Sequence, residues 1–165
     1  MMRNASKSLL KKRNRYLQIA LNNNLFESRK IISQLPVNER IIIEAGTPLI
    51  KRYGIDGIRS LKNWWMARII GQNTLESSQN PSNFLTWLDK KRSRPERFSF
   101  TNLPFAPYVV ADMKMMDRGS TEVKLAAEAG ANAVTALGIA PIESLNIFIE
   151  TCHESGLDAM VDMMN

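Results

Sequence analysis

Short apolar runs alternate along the chain with stretches in which apolar residues recur every three or four positions. The short runs predict buried strands, and the spaced stretches predict amphipathic helices. Strands are predicted at residues 15–21, 40–46, 107–113, 131–138 and 157–165. Helices are predicted between them, at residues 24–35, 54–70, 120–130 and 141–156. A helical stretch therefore separates each predicted strand from the next.

This regular alternation predicts parallel strands joined by right-handed crossovers. Two α/β architectures are compatible with it, a doubly wound open sheet and a (β/α)8 barrel of the TIM type. No G-x-G-x-x-G sequence follows the first predicted strand, which argues against a nucleotide-binding open sheet. Polar residues gather at the carboxyl ends of the predicted strands, where a barrel holds its active site. We therefore expect part of a (β/α)8 barrel, truncated after about five βα strands, because a full barrel takes about 200 residues or more.

Charge and composition suggest how the chain is divided. Residues 1–15 hold six lysine and arginine residues and no acid, so they account for the whole formal net charge of +6. We assign residues 1–15 to a basic N-terminal tail and residues 16–165 to the barrel domain. An insertion at about 71–106 is rich in Asn, Ser, Gln and Pro and carries a second basic cluster at 89–97.

Several functional classes are disfavoured by the same features. Neither basic cluster has interleaved aromatic residues on which bases could stack, so a solvated tail and loop are favoured over nucleic-acid binding. No apolar run approaches the roughly 20 residues of a membrane-spanning helix. The single cysteine, Cys152, rules out an internal disulfide and fits a reducing compartment such as the cytoplasm.

Charged residues follow the second and third predicted strands. Asp112 and Lys114 are two positions apart, so the alternation of a strand places both side chains on one face. Glu44 ends the neighbouring strand, and two carboxylates from adjacent strand ends can hold a hard cation such as Mg²⁺. Lys114 stands between Asp112 and Asp117, whose charges favour its protonated form. Such an ammonium can stabilise developing negative charge or deliver a proton, although a solvated loop is the plainer interpretation of D-x-K-x-x-D alone.

Four motifs occur in the order in which one enzyme family carries them. They are LQIALN, IIEAGTPLIKRYGIDGIRSLK, VVADMKMMDRGSTEVKLAAEAGANAVTALG and AMVDMMN. Together they resemble the 3-hexulose-6-phosphate synthases of the orotidine 5'-monophosphate decarboxylase suprafamily, over about 16–70 and 107–165. The segment GTPLIK favours the synthases over the related decarboxylases.

The resemblance implies a (β/α)8 barrel that forms a homodimer with active sites at the interface. It implies a magnesium-dependent aldehyde-lyase reaction on a phosphorylated sugar. Formaldehyde would condense with D-ribulose 5-phosphate through an enediolate, or the reverse reaction would occur. The implied site residues are the metal ligands Glu44 and Asp112, the catalytic residues Asp112, Lys114 and Asp117, and the substrate-contacting residues Asn22 and Asp162.

Within this implied site, Lys114 would stabilise or protonate the enediolate, and Asp117 would reach into the site of the partner subunit. The family normally has Asp at the position of Asn22. An Asn at that position keeps hydrogen bonding but loses the charge and the capacity to act as a base.

Other functions are compatible with the sequence. The first alternative is a catalytically impaired, truncated barrel that acts by interaction with itself or with another chain, which Asn22 and the small number of strands favour. The second is decarboxylase activity on 3-keto-L-gulonate 6-phosphate or orotidine 5'-phosphate. The third is nucleic-acid binding through the basic tail, which predicts steeply salt-dependent binding.

Overall fold

The computed structural model describes residues 8–71 and 103–163. The strands in these ranges are β1 (Leu17–Leu21), β2 (Ile41–Ala45), β3 (Val109–Met115), β4 (Ala133–Leu137) and β5 (Asp158–Asp162). The helices are α1 (Leu25–Gln34), α2 (Thr47–Ile69), α3 (Gly119–Glu128) and α4 (Ile142–Glu154). The predicted alternation of strands and helices is confirmed. The basic cluster at 89–97, most of the predicted insertion and the first seven residues of the predicted tail lie outside the described residues.

The strand order distinguishes the two architectures that the sequence left open. Every strand pairs in parallel with the strand that follows it in the chain, so the sheet order is β1-β2-β3-β4-β5. A doubly wound sheet reverses its strand order at a switch point, and this sheet shows no reversal among its described strands. The sequential order is that of a (β/α)8 barrel, as predicted.

The main hydrophobic core lies between the sheet and the helices. Alternate residues of the strands point into it, among them Ile43 of β2, Ala111 of β3 and Val134 of β4. The helices contribute large buried side chains such as Trp65 and Phe148. Burial of these apolar side chains is the chief stabilising contribution of the sheet–helix layer.

The opposite face of the sheet carries a second, smaller apolar cluster near the amino ends of the strands. Its members are Ile42, Tyr108, Val110 and Ala133, with Leu10, Tyr16 and Met160 packed against them. Leu10 belongs to the segment that we assigned to the basic tail, and its N-terminal neighbour Leu9 donates its N–H to Asp158 Oδ1 at 3.1 Å. Residues 8–16 therefore lie across the amino end of this inner face.

Helix α2 begins earlier than predicted. The sequence placed its start at residue 54, but the helix begins at Thr47 and has Pro48 in its first turn, where the missing N–H of proline breaks no hydrogen bond. Gly54 interrupts the helix with φ 58° and ψ −146°. The predicted start at residue 54 is therefore wrong, and Gly54 marks a break within the helix.

No helix within residues 8–71 and 103–163 is both long enough and apolar enough to span a lipid bilayer.

Candidate functional site

The carboxyl end of β3 departs from regular strand geometry. Ala111 pairs with Val134 and Met115 pairs with Ala136, so the β3 residues 112–114 lie opposite the single β4 residue Thr135. Extra residues of this kind bend a strand and redirect its side chains. The strand therefore continues to residue 115, two residues beyond its predicted end, and Lys114 lies within it.

Lys114 is ion-paired on the inner face of the sheet. Its Nζ atom lies 3.3 Å from Asp112 Oδ1 and donates a hydrogen bond to Asp162 Oδ2 at the end of β5. The hydrogen bond to Asp162 is the main cause that raises the pKa of Lys114 above 10.5; the charge of Asp112 adds to this effect, and burial opposes it. Lys114 is consequently protonated at neutral pH.

The prediction that Asp112 and Lys114 share a face is confirmed, but for a different physical reason. Lys114 has φ 53°, a left-handed backbone conformation that side-chain-bearing residues seldom adopt. The bend of β3, and not a regular alternation, therefore sets the direction of its side chain. The second carboxylate beside Lys114 also differs from the prediction, because it belongs to Asp162 and not to Asp117.

Two threonine hydroxyls hold the carboxylate of Asp112, which is only 7% exposed. Thr135 Oγ1 donates to Asp112 Oδ1 at 2.6 Å. Thr47 Oγ1, at the first residue of α2, lies 2.9 Å from Asp112 Oδ2 and 2.8 Å from the Asp112 carbonyl oxygen. These contacts compensate for removing the charge from water.

Neither threonine was predicted from the sequence. Threonine is common in strands for its β-branched shape, so Thr135 in AVTAL gives little signal by itself. The available signal was its position, since Val134 and Ala136 on either side face the main core and Thr135 must face the polar side. Thr47 could have been found only by recognising that α2 begins there.

Glu44 lies on the same face of the sheet, in the strand next to Asp112. It is opposite Val110 in the β2–β3 register. Asp112 is the next residue of β3 on the same face, two positions further along the strand. The side-chain amide of Gln18 in β1 donates to Glu44 Oε2. Glu44 and Asp112 thus stand at the same end of neighbouring strands, as predicted.

The donor set of this site fits Mg²⁺. Carboxylate oxygens are the protein ligands that Mg²⁺ prefers, and the ion commonly binds through one or two carboxylates while keeping several waters. Glu44 and Asp112 would be those two ligands. In the described part of the chain, no group of three or more His, Cys, Asp or Glu residues could hold a metal ion.

Asn22 and Asp117 lie outside the Asp112–Lys114–Asp162 network. Asn22 is exposed and covers Gly46, where an added Cβ would stand 1.9 Å from Asn22 Oδ1. A side chain at position 46 would therefore displace the Asn22 amide from this place. Asp117 is exposed between β3 and α3. The pKa of Glu122 is raised mainly by the burial of Glu122, and the charge of Asp117 adds to this effect.

Comparisons with known proteins show which proteins this chain resembles. Residues 107–165 match the Orotidine 5'-phosphate decarboxylase / HUMPS family. The chain is 35% identical over 151 residues to the bifunctional enzyme Fae/Hps of Methanococcoides burtonii, and the match covers 91% of this chain and 28% of that protein. The corresponding enzyme of Methanosarcina acetivorans is 32% identical, with 91% and 29% covered. The chain thus spans less than a third of the length of these curated relatives.

Solved structures show the same architecture. The 3-hexulose-6-phosphate synthase from Salmonella typhimurium superposes with a TM-score of 0.59 at 27% identity, covering 90% of this chain and 52% of that chain. A 3-keto-L-gulonate-6-phosphate decarboxylase from Vibrio cholerae superposes with a TM-score of 0.59 at 18% identity, covering 92% and 52%. The five strands therefore correspond to about half of a (β/α)8 barrel chain.

Proposed function

We propose that the polar cluster of this chain is part of a 3-hexulose-6-phosphate synthase type of active site, and the match of residues 107–165 to the Orotidine 5'-phosphate decarboxylase / HUMPS family supports this. The observation that carries the proposal is the cluster of Asp112, Lys114 and Asp162, with Glu44 on the neighbouring strand. The choice of substrate is supported by the similarity to the synthase from Salmonella typhimurium.

The proposed reaction joins formaldehyde to C1 of D-ribulose 5-phosphate, or reverses that step. A C1–H bond breaks and leaves its electron pair in an enediolate. C1 then forms a bond to the formaldehyde carbon, and the formaldehyde oxygen takes up a proton. One proton is released and one is taken up, so the reaction needs no oxidant or reductant.

Lys114 is suited to act as an electrostatic group or a proton donor in this reaction. Its hydrogen bond to Asp162 raises its pKa, so it enters the reaction as an ammonium and cannot serve as the base. A fixed positive charge at the site lowers the energy of an enediolate that forms beside it. When bound by Glu44 and Asp112, Mg²⁺ would act as a Lewis acid toward substrate oxygens.

An activity assay with matched carboxylate variants tests the proposal. The purified chain is mixed with D-ribulose 5-phosphate, formaldehyde and MgCl₂, and the loss of formaldehyde is followed. We expect magnesium-dependent turnover that is abolished by Glu44→Gln and by Asp112→Asn. Asp56→Asn serves as the control, because Asp56 is a 79% exposed carboxylate paired with Arg59 on α2.

A folded chain without turnover would contradict the proposal, folding being checked by circular dichroism. Binding to another chain, without catalysis, would then be the better explanation of the fold. Turnover of 3-keto-L-gulonate 6-phosphate in place of formaldehyde condensation would assign the chain to the decarboxylases.

We also propose a homodimer in which Asp117 serves the partner subunit's site. Asp117 is exposed, and among the described residues Lys114 forms its ion pairs with Asp112 and Asp162, which leaves Asp117 available for such a role. Mixing inactive Asp117→Ala and Lys114→Ala chains should restore about a quarter of the wild-type activity, because half of the dimers are mixed and each has one intact site. Failure of the mixture to regain any activity would contradict a shared site.

A further inference from the structure

The bend in β3 requires a hydrogen-bond acceptor from outside the strand ladder. Three residues, 112–114, lie opposite the single residue Thr135, so regular pairing cannot satisfy every backbone group in this segment. The Lys114 N–H donates to the Thr135 hydroxyl oxygen at 3.2 Å. A side chain of β4 thus takes the place of a backbone acceptor.

The same hydroxyl also holds the Asp112 carboxylate. A threonine hydroxyl has one proton to donate and two lone pairs that accept. Thr135 donates its proton to Asp112 Oδ1 at 2.6 Å and accepts the Lys114 N–H with a lone pair. The two bonds run in one direction, from amide to hydroxyl to carboxylate, so each strengthens the other.

The position of this hydroxyl is fixed by the fold. Thr135 is only 7% exposed, and its neighbours Val134 and Ala136 are fully buried in the main core. Its Oγ1 atom therefore has a defined place, against which both Asp112 and the bent segment of β3 are aligned.

We propose that Thr135 is a positioning residue of the site, whose hydroxyl holds the Asp112 carboxylate and the Lys114 backbone in a single arrangement. In that arrangement the Lys114 ammonium reaches both Asp112 and Asp162. The catalytic consequence rests on the proposed function. The positioning contact itself does not, because it is a property of the folded chain.

Amide hydrogen exchange measured by NMR tests the contact without any substrate. We expect the Lys114 amide of the wild-type chain to be protected. In Thr135→Val, which keeps the branched shape and removes the hydroxyl, we expect it to exchange about tenfold faster. Thr135→Ser should retain the protection. The amide of Val110, upstream in β3, should be unchanged in both variants.

Thr151→Val is the matched control. Thr151 is also 7% exposed, and its hydroxyl donates to the Ile147 carbonyl oxygen at 2.8 Å within α4. This variant should leave the Lys114 exchange rate unchanged. The proposal is overturned by rapid Lys114 exchange in the wild-type chain, by equal rates in wild type and Thr135→Val, or by an equal acceleration in Thr151→Val.

Kinetics then separate a positioning role from a merely structural one. We expect kcat to fall about tenfold or more in Thr135→Val, with KM for D-ribulose 5-phosphate changed by less than about threefold. Thr135→Ser should restore kcat to within about threefold of wild type. A Thr135→Ser chain as slow as Thr135→Val would contradict positioning by the hydroxyl. If the wild-type chain shows no turnover, the proposed function fails, and the exchange rates still decide whether Thr135 holds this segment.

Discussion

Lys114 combines two properties that rarely occur together in a strand, a left-handed backbone and an ion-paired side chain. Its φ of 53° carries a steric cost for any residue with a Cβ atom. Its ammonium contacts Asp112 and Asp162, which compensates for part of that cost. The two contributions can be separated by substitutions that remove the ammonium and differ only in the Cβ atom.

Lys114→Gly should therefore be more stable than Lys114→Ala. We expect a difference of about 1–2 kcal/mol in the free energy of unfolding, measured by urea denaturation, because glycine adopts positive φ without steric cost. Lys124, exposed on α3, provides the control: there glycine should be less stable than alanine by about 1 kcal/mol. If the glycine variant were less stable than the alanine variant at both positions, Lys114 would bear no backbone strain.

Glu122 is a carboxylate that destabilises the fold when it is ionised. Its Oε2 atom is buried, and no hydrogen-bond partner lies near it in the described residues. Burial, and to a lesser extent the charge of Asp117, raises its pKa above 4.5. The ionised form is thus penalised in the folded state at neutral pH, and the penalty disappears as the pH falls through the folded-state pKa and below 4.5.

Glu122→Gln should consequently raise the melting temperature at pH 7 and lose this advantage near pH 4. Thermal unfolding at both pH values measures the effect. Glu39→Gln, at an exposed carboxylate before β2, should show little change at either pH. A Glu122→Gln gain that is equal at pH 7 and pH 4 would argue against an ionisation effect.

At the residue scale, the sequence predicted the charged groups but not what aligns them. Glu44, Asp112 and Lys114 could be predicted because ionisable residues at the end of an apolar strand need a reason to be there. The bend in β3 could not be predicted, because ADMKM has the apolar–polar alternation of a regular strand. Thr47 was missed because the start of α2 was placed too late, and Thr135 was missed because a threonine in a strand gives little signal beyond the face on which it lies.

At the scale of single elements, α2 contains a break that was not predicted from the sequence. Gly54 has φ 58° and ψ −146°, a region that is essentially restricted to glycine. An added Cβ would meet no heavy atom within 4 Å, so any cost of substitution comes from the backbone alone. The break divides α2 into a short first segment, which carries Thr47 into the site, and a longer segment, which packs through Trp65.

Gly54→Ala should destabilise the chain by about 1–3 kcal/mol through backbone strain. Asn63→Ala, at an exposed position in the interior of the same helix, should be neutral or stabilising, because alanine is the better helix former. Urea denaturation of both variants measures the difference. If Gly54→Ala is as stable as wild type, the break is not fixed and the helix can straighten.

The elements themselves were predicted more reliably than their ends. Apolar runs such as RIIIEAG identify a buried strand whatever lies around it, and Gly46 ends β2 as expected. The boundaries of α2 and β3 were wrong because they depend on features outside local sequence, such as the paired strand β4. Local patterns therefore fix which element forms, and tertiary contacts fix where it begins and ends.

At the scale of the whole molecule, Asp158 connects three separate parts of the described chain. Its carboxylate accepts the Leu9 N–H at 3.1 Å and the Tyr108 hydroxyl at 2.6 Å, and it begins β5. The segment before β1, the start of β3 and the edge strand β5 are thereby joined under the inner face of the sheet. The pKa of Tyr108 is raised by burial and by this hydrogen bond.

Asp158→Ala should lower the free energy of unfolding by about 1–3 kcal/mol, because it leaves the nearly buried Tyr108 hydroxyl without its acceptor. Asp56→Ala removes an exposed carboxylate instead, and should cost about 0.5 kcal/mol or less. Denaturation curves for the two variants provide the comparison. Equal and small effects would show that the hydrogen bonds of the Asp158 carboxylate do not stabilise the fold.

The overall architecture could be predicted because it depends on repetition. Each βα unit repeats the same apolar pattern, and the sequential strand order follows when every crossover has the same hand. The packing of residues 8–16 on the inner face could not be predicted, because this stretch is dominated by exposed basic residues, with Leu10 and Tyr16 as the side chains that pack on the sheet.

The sequential strand order also has a kinetic consequence. A sheet in which each strand docks beside its immediate predecessor can grow stepwise, one strand at a time. The bond from Leu9 to Asp158 is the opposite case, since it spans 149 residues and requires β5 to be in place. In pulse-labelled refolding, the Leu9 amide should therefore become protected after the amides of β2 and β3, and so report when β5 has docked.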